Sequence, residues 1–276
     1  MRAGNLVSAR LLARKGIVDP TDFTSLLAWR LEGKGSSGGD SGGDSGGGTA
    51  PDNPYTWEGV AYYLNNGTYK DVYKIGDEVP LDLGSEGVIN MQVAAFDADT
   101  LADGSGTAAI SWVAKELFPA GPSGKVWNQT EYTAGVEGTG TLGGWVKCYL
   151  RDYLNTTIFG LVPENVSAMV VPVTKTHRSY NLDERWYNDT SSETLWVPSK
   201  NECFDEGGLY HDLFPTADSR KKNYIGSPLT ASKWWLRDAN DKRYAQYVDA
   251  GGDQVQTYVS NDTCRIALGF CTGKSK

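Results

Sequence analysis

The chain has 276 residues, 39% hydrophobic and 11% aromatic, which is enough apolar material for a sizeable core, while 33 glycines mark it as loop-rich. Its formal net charge of -8 argues against a nucleic-acid surface, because phosphate contacts need clustered Lys and Arg. No run of about eighteen apolar residues is present that could cross a bilayer, so no membrane insertion is expected.

Residues 1–32 read as two short helices. Leu6, Val7, Leu11 and Leu12 form one stripe ending at Gly16; Asp19 caps the second helix, Pro20 opens it, and Phe23, Leu26, Leu27 and Leu31 give its apolar face. So short a pair cannot bury that face alone. It is expected to dock onto a larger assembly or onto sister copies, with folding back onto its own globular domain as the alternative. Arg10 and Arg14 interrupt the only early apolar stretch, so it does not read as a signal peptide, and synthesis in a cytosol is expected. Residues 33–50 are a Gly/Ser linker, a coil whose mean span is roughly 20–25 Å.

The globular part, 51–276, is expected to be α+β. A helix runs from Tyr55-Thr56-Trp57 to Gly67, followed by strands near Lys74 to Leu83 and Val88 to Phe96. Asp97, Asp99 and Asp103 invite a calcium-loop reading, but Leu101 and Ala102 stand where an EF-hand needs an oxygen ligand and a glycine, so a capped loop before a helix over Thr107 to Leu117 is preferred. A helix from Trp145 to Asn155 would bury Trp145, Cys148, Tyr149 and Leu150. A short helix at Val162-Pro163-Glu164, an apolar strand from Met169 to Val173, and a buried strand Leu195 to Pro198 capped by Ser199 follow. The four cysteines, Cys148, Cys203, Cys264 and Cys271, are too sparse for a zinc site or disulfide scaffold and read mostly as buried thiols, with pairing after release from the cell as the alternative.

The stretch Trp234 to Cys271 has apolar ends, Trp234-Trp235-Leu236 and Ile266-Ala267-Leu268 with Phe270, around a polar, tyrosine-rich middle. Two half-buried strands, Tyr244 to Asp249 and Gln254 to Ser260, are expected to be joined by the Ala250-Gly251-Gly252-Asp253 turn. Rigid Tyr with adaptable Asn, Ser and Gly is the chemistry of a recognition surface. An ordinary solvated hairpin has the same pattern.

The segments GGWVKCYLRDYLN (143–155), LWVPSKNE (195–202), WWLR (234–237) and ALGFC (267–271) resemble, in order and spacing, a large domain family of gut phages, prophages and bacterial surface proteins. YTWEGVAYYLNNGTYKDVYKIGD (55–77) and FDADTLADGSGTAAI (96–110) look like the front half of its phage members. That family is in turn similar to the C-type-lectin-like fold of formylglycine-generating enzymes and of the variable proteins of diversity-generating retroelements. The resemblance implies ligand contacts at Asn240, Arg243, Tyr244, Gln246, Tyr247, Gln256, Tyr258, Asn261 and Arg265. The middle of the stretch is less uniformly Asn, Ser and Tyr than an unedited retroelement template.

Catalytic signatures are missing. His177 and His211 have no metal-ligand neighbour at i+4, and no nucleophile elbow or phosphate loop occurs. Cys264 and Cys271 do not reproduce the spacing of a formylglycine-generating pair. No enzyme activity, metal or cofactor is therefore expected. The expectation is a phage virion adhesin: residues 1–32 bind other virion proteins, and the lectin-like head grips a bacterial surface glycan or protein receptor. A homo-oligomer, a trimer for preference, is expected because multivalency raises modest single-site affinity. Structural virion proteins and prophage-borne bacterial surface proteins are the alternatives.

Overall fold

The computed structural model describes residues 49–118, 126–183 and 185–274. The expected helical anchor at 1–32 and all but the last two residues of the linker lie outside the described residues. Helix α1 (Trp57–Asn66) begins where the Thr56 hydroxyl accepts the Gly59 N–H and ends at Gly67, whose φ of 71° suits a residue without a side chain. It buries Trp57, Val60 and Leu64, and α2 (Tyr69–Val72) follows. Strands β1 (Glu78–Asp82) and β2 (Val88–Phe96) fall where expected.

The helix expected over Thr107 to Leu117 is instead strand β3 (Ile110–Ala114). All five of its residues are buried, so the alternation that would have revealed a strand is absent. The helix expected from Trp145 to Asn155 breaks into a 3-10 turn (Trp145–Lys147), α3 (Tyr149–Tyr153) and a π turn (Leu154–Ile158). The break comes at Cys148, whose extended backbone and thiol, accepting the Arg151 N–H, start a new helix. Trp145, Cys148 and Leu150 are buried as expected; Tyr149 is only half-buried and stacks on Tyr153.

Helix α4 (Glu164–Ser167) follows Pro163. Met169 to Val173 is not a strand: Met169 closes a turn after α4, and β4 (Val173–Tyr180) starts where that strand should have stopped. β4 forms an unslipped antiparallel hairpin with β5 (Trp186–Glu193), which the sequence did not announce. Then come β6 (Leu195–Trp196), α5 (Lys200–Phe204), α6 (Ala217–Arg220), β7 (Lys222–Tyr224), β8 (Ser227–Ser232), β9 (Trp234–Ala239), β10 (Tyr244–Val248), β11 (Gln254–Tyr258) and β12 (Gly269–Thr272). Both strands expected in the tyrosine-rich stretch are present.

A five-stranded sheet of order β1-β2-β3-β12-β6 carries the core, and β11-β10-β9 form a second sheet. The fold is α+β with antiparallel strand pairing. The brackets of the tyrosine-rich stretch are fully buried, as are all four cysteines, which are free thiols. Burial pushes the Cys264 thiol up to about 12 and the other three upward as well.

Gly269 lies directly under the Trp196 ring, where an added Cβ would collide with the six-membered ring. Gly269→Ala should therefore overpack the β12–β6 junction and destabilise the domain by about 1–3 kcal/mol, read as a lowered urea midpoint.

Candidate functional site

Strand β4 alternates buried and exposed residues, so Lys175 and His177 share the inner face with Val173. Lys175 is 1% exposed, and its ammonium meets Asp99 Oδ1 at 2.5 Å, Glu202 Oε1 at 3.0 Å and the Tyr210 hydroxyl. It also lies 3.7 Å from the centroid of the Trp196 ring, on which Tyr210 stacks. The other Asp99 oxygen accepts the Ser111 and Tyr210 hydroxyls at 2.6 and 2.7 Å and the Cys271 thiol at 3.3 Å.

Arg237 completes the set. Between Trp235 and Ala239, β9 runs three residues opposite Gln246 alone, and this bulge redirects the chain at Arg237. Its Nε and Nη2 donate to the Thr176 carbonyl, and Nη1 donates to the Val197 carbonyl. Nη1 and Nη2 each lie 2.6 Å from a Glu202 oxygen, so all five guanidinium N–H donors have an acceptor. Glu202 also serves in the capping box of α5, accepting the Ser199 N–H at 2.7 Å.

Two cations and two carboxylates thus neutralise one another in the interior. Burial acts to raise the carboxyls of Asp99 and Glu202, but Lys175 beside the first and Arg237 with Lys175 beside the second hold both below the usual range.

A cleft of about 710 Å3 lies over this network. The β4–β5 hairpin lines it through Thr176, Arg178 and Asn188, and the loop Asp205–Gly208 also lines it. At its floor Asp238, 5% exposed, accepts the Arg178 and Lys200 N–H groups at 2.8 and 2.6 Å; burial still raises its carboxyl pKa. His177, 2% exposed, also lines the cleft, and neither of its ring nitrogens has a hydrogen-bond partner among the described residues.

The nine sequence-named contacts do not form one face. Tyr244 and Tyr258 are cross-strand partners whose rings lie 4.5 Å apart, with Tyr258 47% exposed. Arg243 and Lys242 reach toward the Tyr132 ring nearby. Asn261 is fixed by Thr257 and Thr263 at a depression of about 550 Å3, also lined by Tyr258 and Glu131. Gln256 is exposed on the same side of β11 as Tyr258. Asn240 is half-buried, its backbone N–H donating to the Tyr244 carbonyl.

Of the nine, Gln246 falls on a buried side chain and needs correction, while Tyr247 and Arg265 are half-buried, as Tyr244 is, but are engaged within the domain. Gln246 is 2% exposed, its amide oxygen accepting from Gln254, because Leu236 to Asp238 bulge opposite it. Tyr247 lies on the other face of β10, edge-on to Trp235 and packed on the core. Arg265 is spent on the Tyr224 ring at 3.6 Å and on Ser232. Only the burial of Gln246 traces to the bulge, for which Trp-Trp-Leu-Arg-Asp gives no turn signal; the opposite facing of Tyr247 and Tyr244 follows from plain alternation along β10.

The charged network was also missed, although Lys175 and His177 alternating with Val173 did place two ionisable groups on an inward face. Trp196, Glu202, Arg237 and Cys271 all belong to the motif segments named above; in the folded chain they are parts of one buried frame. What results is an α+β domain built round an internal ion-pair network, roofed by a polar cleft and carrying a tyrosine-bearing hairpin. Residues 130–269 match the family model Domain of unknown function (DUF6273), and the chain belongs to that family. Comparison with curated proteins and with solved structures found no match. No group of three or more His, Cys, Asp or Glu among the described residues could hold a metal ion, and no described helix is long and apolar enough to cross a membrane.

Proposed function

We propose that the domain is a recognition module whose frame is internally satisfied and whose β10–β11 hairpin grips an external ligand, in the setting of a phage virion adhesin that binds a bacterial surface receptor. The observation that carries this reading is the Tyr244–Tyr258 pair, set beside the Glu131–Asn261 depression and next to Tyr132 and Arg243. Paired aromatic rings offer stacking surface to sugars or to apolar side chains at small entropic cost, and the flanking amides and guanidinium supply directional hydrogen bonds.

Binding is favoured over catalysis because the strongly ionised groups of the interior are spent on each other and the cysteine thiols are held protonated by burial. The larger two of the four antiparallel sheets among the described residues, with β12 from the C-terminal end paired between β3 and β6, support a C-type-lectin-like reading. The same reading keeps residues 1–32 as the attachment to other virion proteins and favours a homo-oligomer, a trimer for preference.

The test is Tyr244→Ala with Tyr258→Ala in the genome that encodes the chain. Particles should assemble with normal protein content while adsorption to host cells falls at least about tenfold, the loss of one to two kcal/mol of stacking. Unchanged adsorption would remove the receptor site. A second reading, a structural virion protein, is favoured by Leu229, which is 96% exposed on β8 and fits burial against a neighbouring protein. Leu229→Asp should then block incorporation into particles while leaving the isolated chain folded.

A further inference from the structure

Asp99, Lys175 and Glu202 form an acid–base set in which two members are placed to react. The Asp99 and Lys175 side chains are each 1% exposed, and Nζ meets Asp99 Oδ1 at 2.5 Å. A nitrogen so placed has the carboxyl carbon, Cγ, about 3–3.5 Å away, the separation of a near-attack pair. The Trp196 ring, 3.7 Å from Nζ, and Tyr210, stacked on it, are fully buried and keep bulk water from the pair. In so dry a setting the neutral amine and acid lie closer in energy to the ion pair than in water, because the charged forms have lost their hydration.

The contacts of each atom are divided as amide formation requires. Oδ2 accepts the Ser111 and Tyr210 hydroxyls and the Cys271 thiol, so three donors converge where negative charge would collect if a nitrogen added to Cγ. Oδ1, the oxygen that would leave, is the one bonded to Nζ. Glu202 Oε1 stands 3.0 Å from Nζ, within reach of a proton on that nitrogen. Glu202 is the base rather than the carbon attacked, because Arg237 ties both its oxygens at 2.6 Å and an attack there would break two charge-assisted contacts.

We propose that Lys175 and Asp99 join in an intramolecular isopeptide bond, formed once per chain with Glu202 as proton acceptor. One proton passes from Nζ to Oδ1, and the free amine adds to Cγ. Glu202 takes a second proton from the nitrogen and returns it to Oδ1, which departs as water. The Nζ–Cγ bond forms, the Cγ–Oδ1 bond breaks, and ammonium plus carboxylate become amide plus water with no oxidant or co-reactant. The cleft above, which Asp99, Lys175 and Glu202 all line, gives that water its way out. Fixing both groups in place makes the step unimolecular, with an effective molarity on the order of 10⁵–10⁸ M.

The ion pairs described above are the reactant state of this step. Its product ties the segment after β2 to β4 and closes a loop of roughly 75 residues, in a domain whose four cysteines are all free. The reaction is a single self-modification without external substrate, and it stands whether or not the tyrosine hairpin grips a receptor.

Intact-mass spectrometry of the full-length chain, incubated folded at neutral pH and then denatured, is the test. The parent should weigh one water, about 18 Da, less than its sequence. Trypsin should release residues 75–115 and 152–178 as one joined species with Lys175 uncut. Lys175→Met should carry its full sequence mass. Glu202→Gln with Arg237→Met removes the proton acceptor without leaving a lone charge; with its fold checked by circular dichroism, it should close at least about tenfold more slowly than the parent.

The proposal is overturned if the parent keeps its full sequence mass after prolonged incubation, or if the deficit survives in Lys175→Met, which would locate the lost water elsewhere. It is also overturned if the joined peptides map to Glu202 in place of Asp99, or if the folded double variant closes as fast as the parent.

Discussion

Arg237→Ala is expected to destabilise the domain by about 3–5 kcal/mol, enough to leave much of it unfolded at 37 °C. The change strands Glu202, which is 5% exposed and loses two contacts of 2.6 Å at once, and frees the Thr176 and Val197 carbonyls from their only side-chain donor named in the network. Arg237→Lys should recover little of this, since one ammonium cannot span two carbonyls and both carboxylate oxygens in a plane. Arg237→Met combined with Glu202→Gln should cost clearly less than the two single changes added together, because the pair then leaves the interior without an unbalanced charge. Urea unfolding of the four proteins measures this, and strict additivity would show that the two residues act independently.

The second large effect is acid sensitivity. His177 in the folded chain titrates at about 4, against about 6.5 when unfolded. The folded pKa is the lower one, so on acidification the unfolded chain takes up the proton first, and stability falls as pH drops from about 6.5 toward about 4. The integrated loss is on the order of 3 kcal/mol, after which the contribution levels off. Below that window Asp99 and Glu202 act in the same direction: both are held below the usual carboxyl range when folded, so their protonation removes further stability. Asp238, raised by burial, opposes them. Urea midpoints between about pH 7.5 and 4 should slope steeply for the parent and much less for His177→Gln; parallel slopes would mean that the imidazole is not desolvated.

The parts of the fold that sequence made legible are those where one local rule governs. Thr56 and Gly67 mark both ends of α1, Ser199 and Glu202 spell a capping box, and the turn at Ala250 to Asp253 joins two alternating strands. The failures occur where two environments look alike along the chain. A strand buried on both faces, as at Ile110–Ala114, has the apolar density of a buried helix. The bulge in β9 has no residue signature and hid the burial of Gln246, whereas the expectation for Tyr247, an odd step from Tyr244 in the unbroken β10–β11 register, set it on the Tyr244 face against plain alternation.

The hairpin with its exposed tyrosines was legible because its composition is unlike a core. The frame was not, because Asp99, Lys175, Glu202 and Arg237 look like ordinary surface charges until the chain is closed. Glu202 in particular sits three residues after Ser199, where a capping box accounts for a carboxylate without any burial.

That closure bears on how the protein can be cut. The segment matching the family model holds Lys175, Glu202, Tyr210 and Arg237 but leaves outside it Asp99 and Cys271, which meet them in the interior. An excised 130–269 fragment would bury an ammonium with half its counter-charge missing, and of the five-stranded sheet it would keep only β6 and the first residue of β12. Expression trials are better begun near residue 51, and the unit of inheritance in this family is expected to be longer than the stretch by which it is detected.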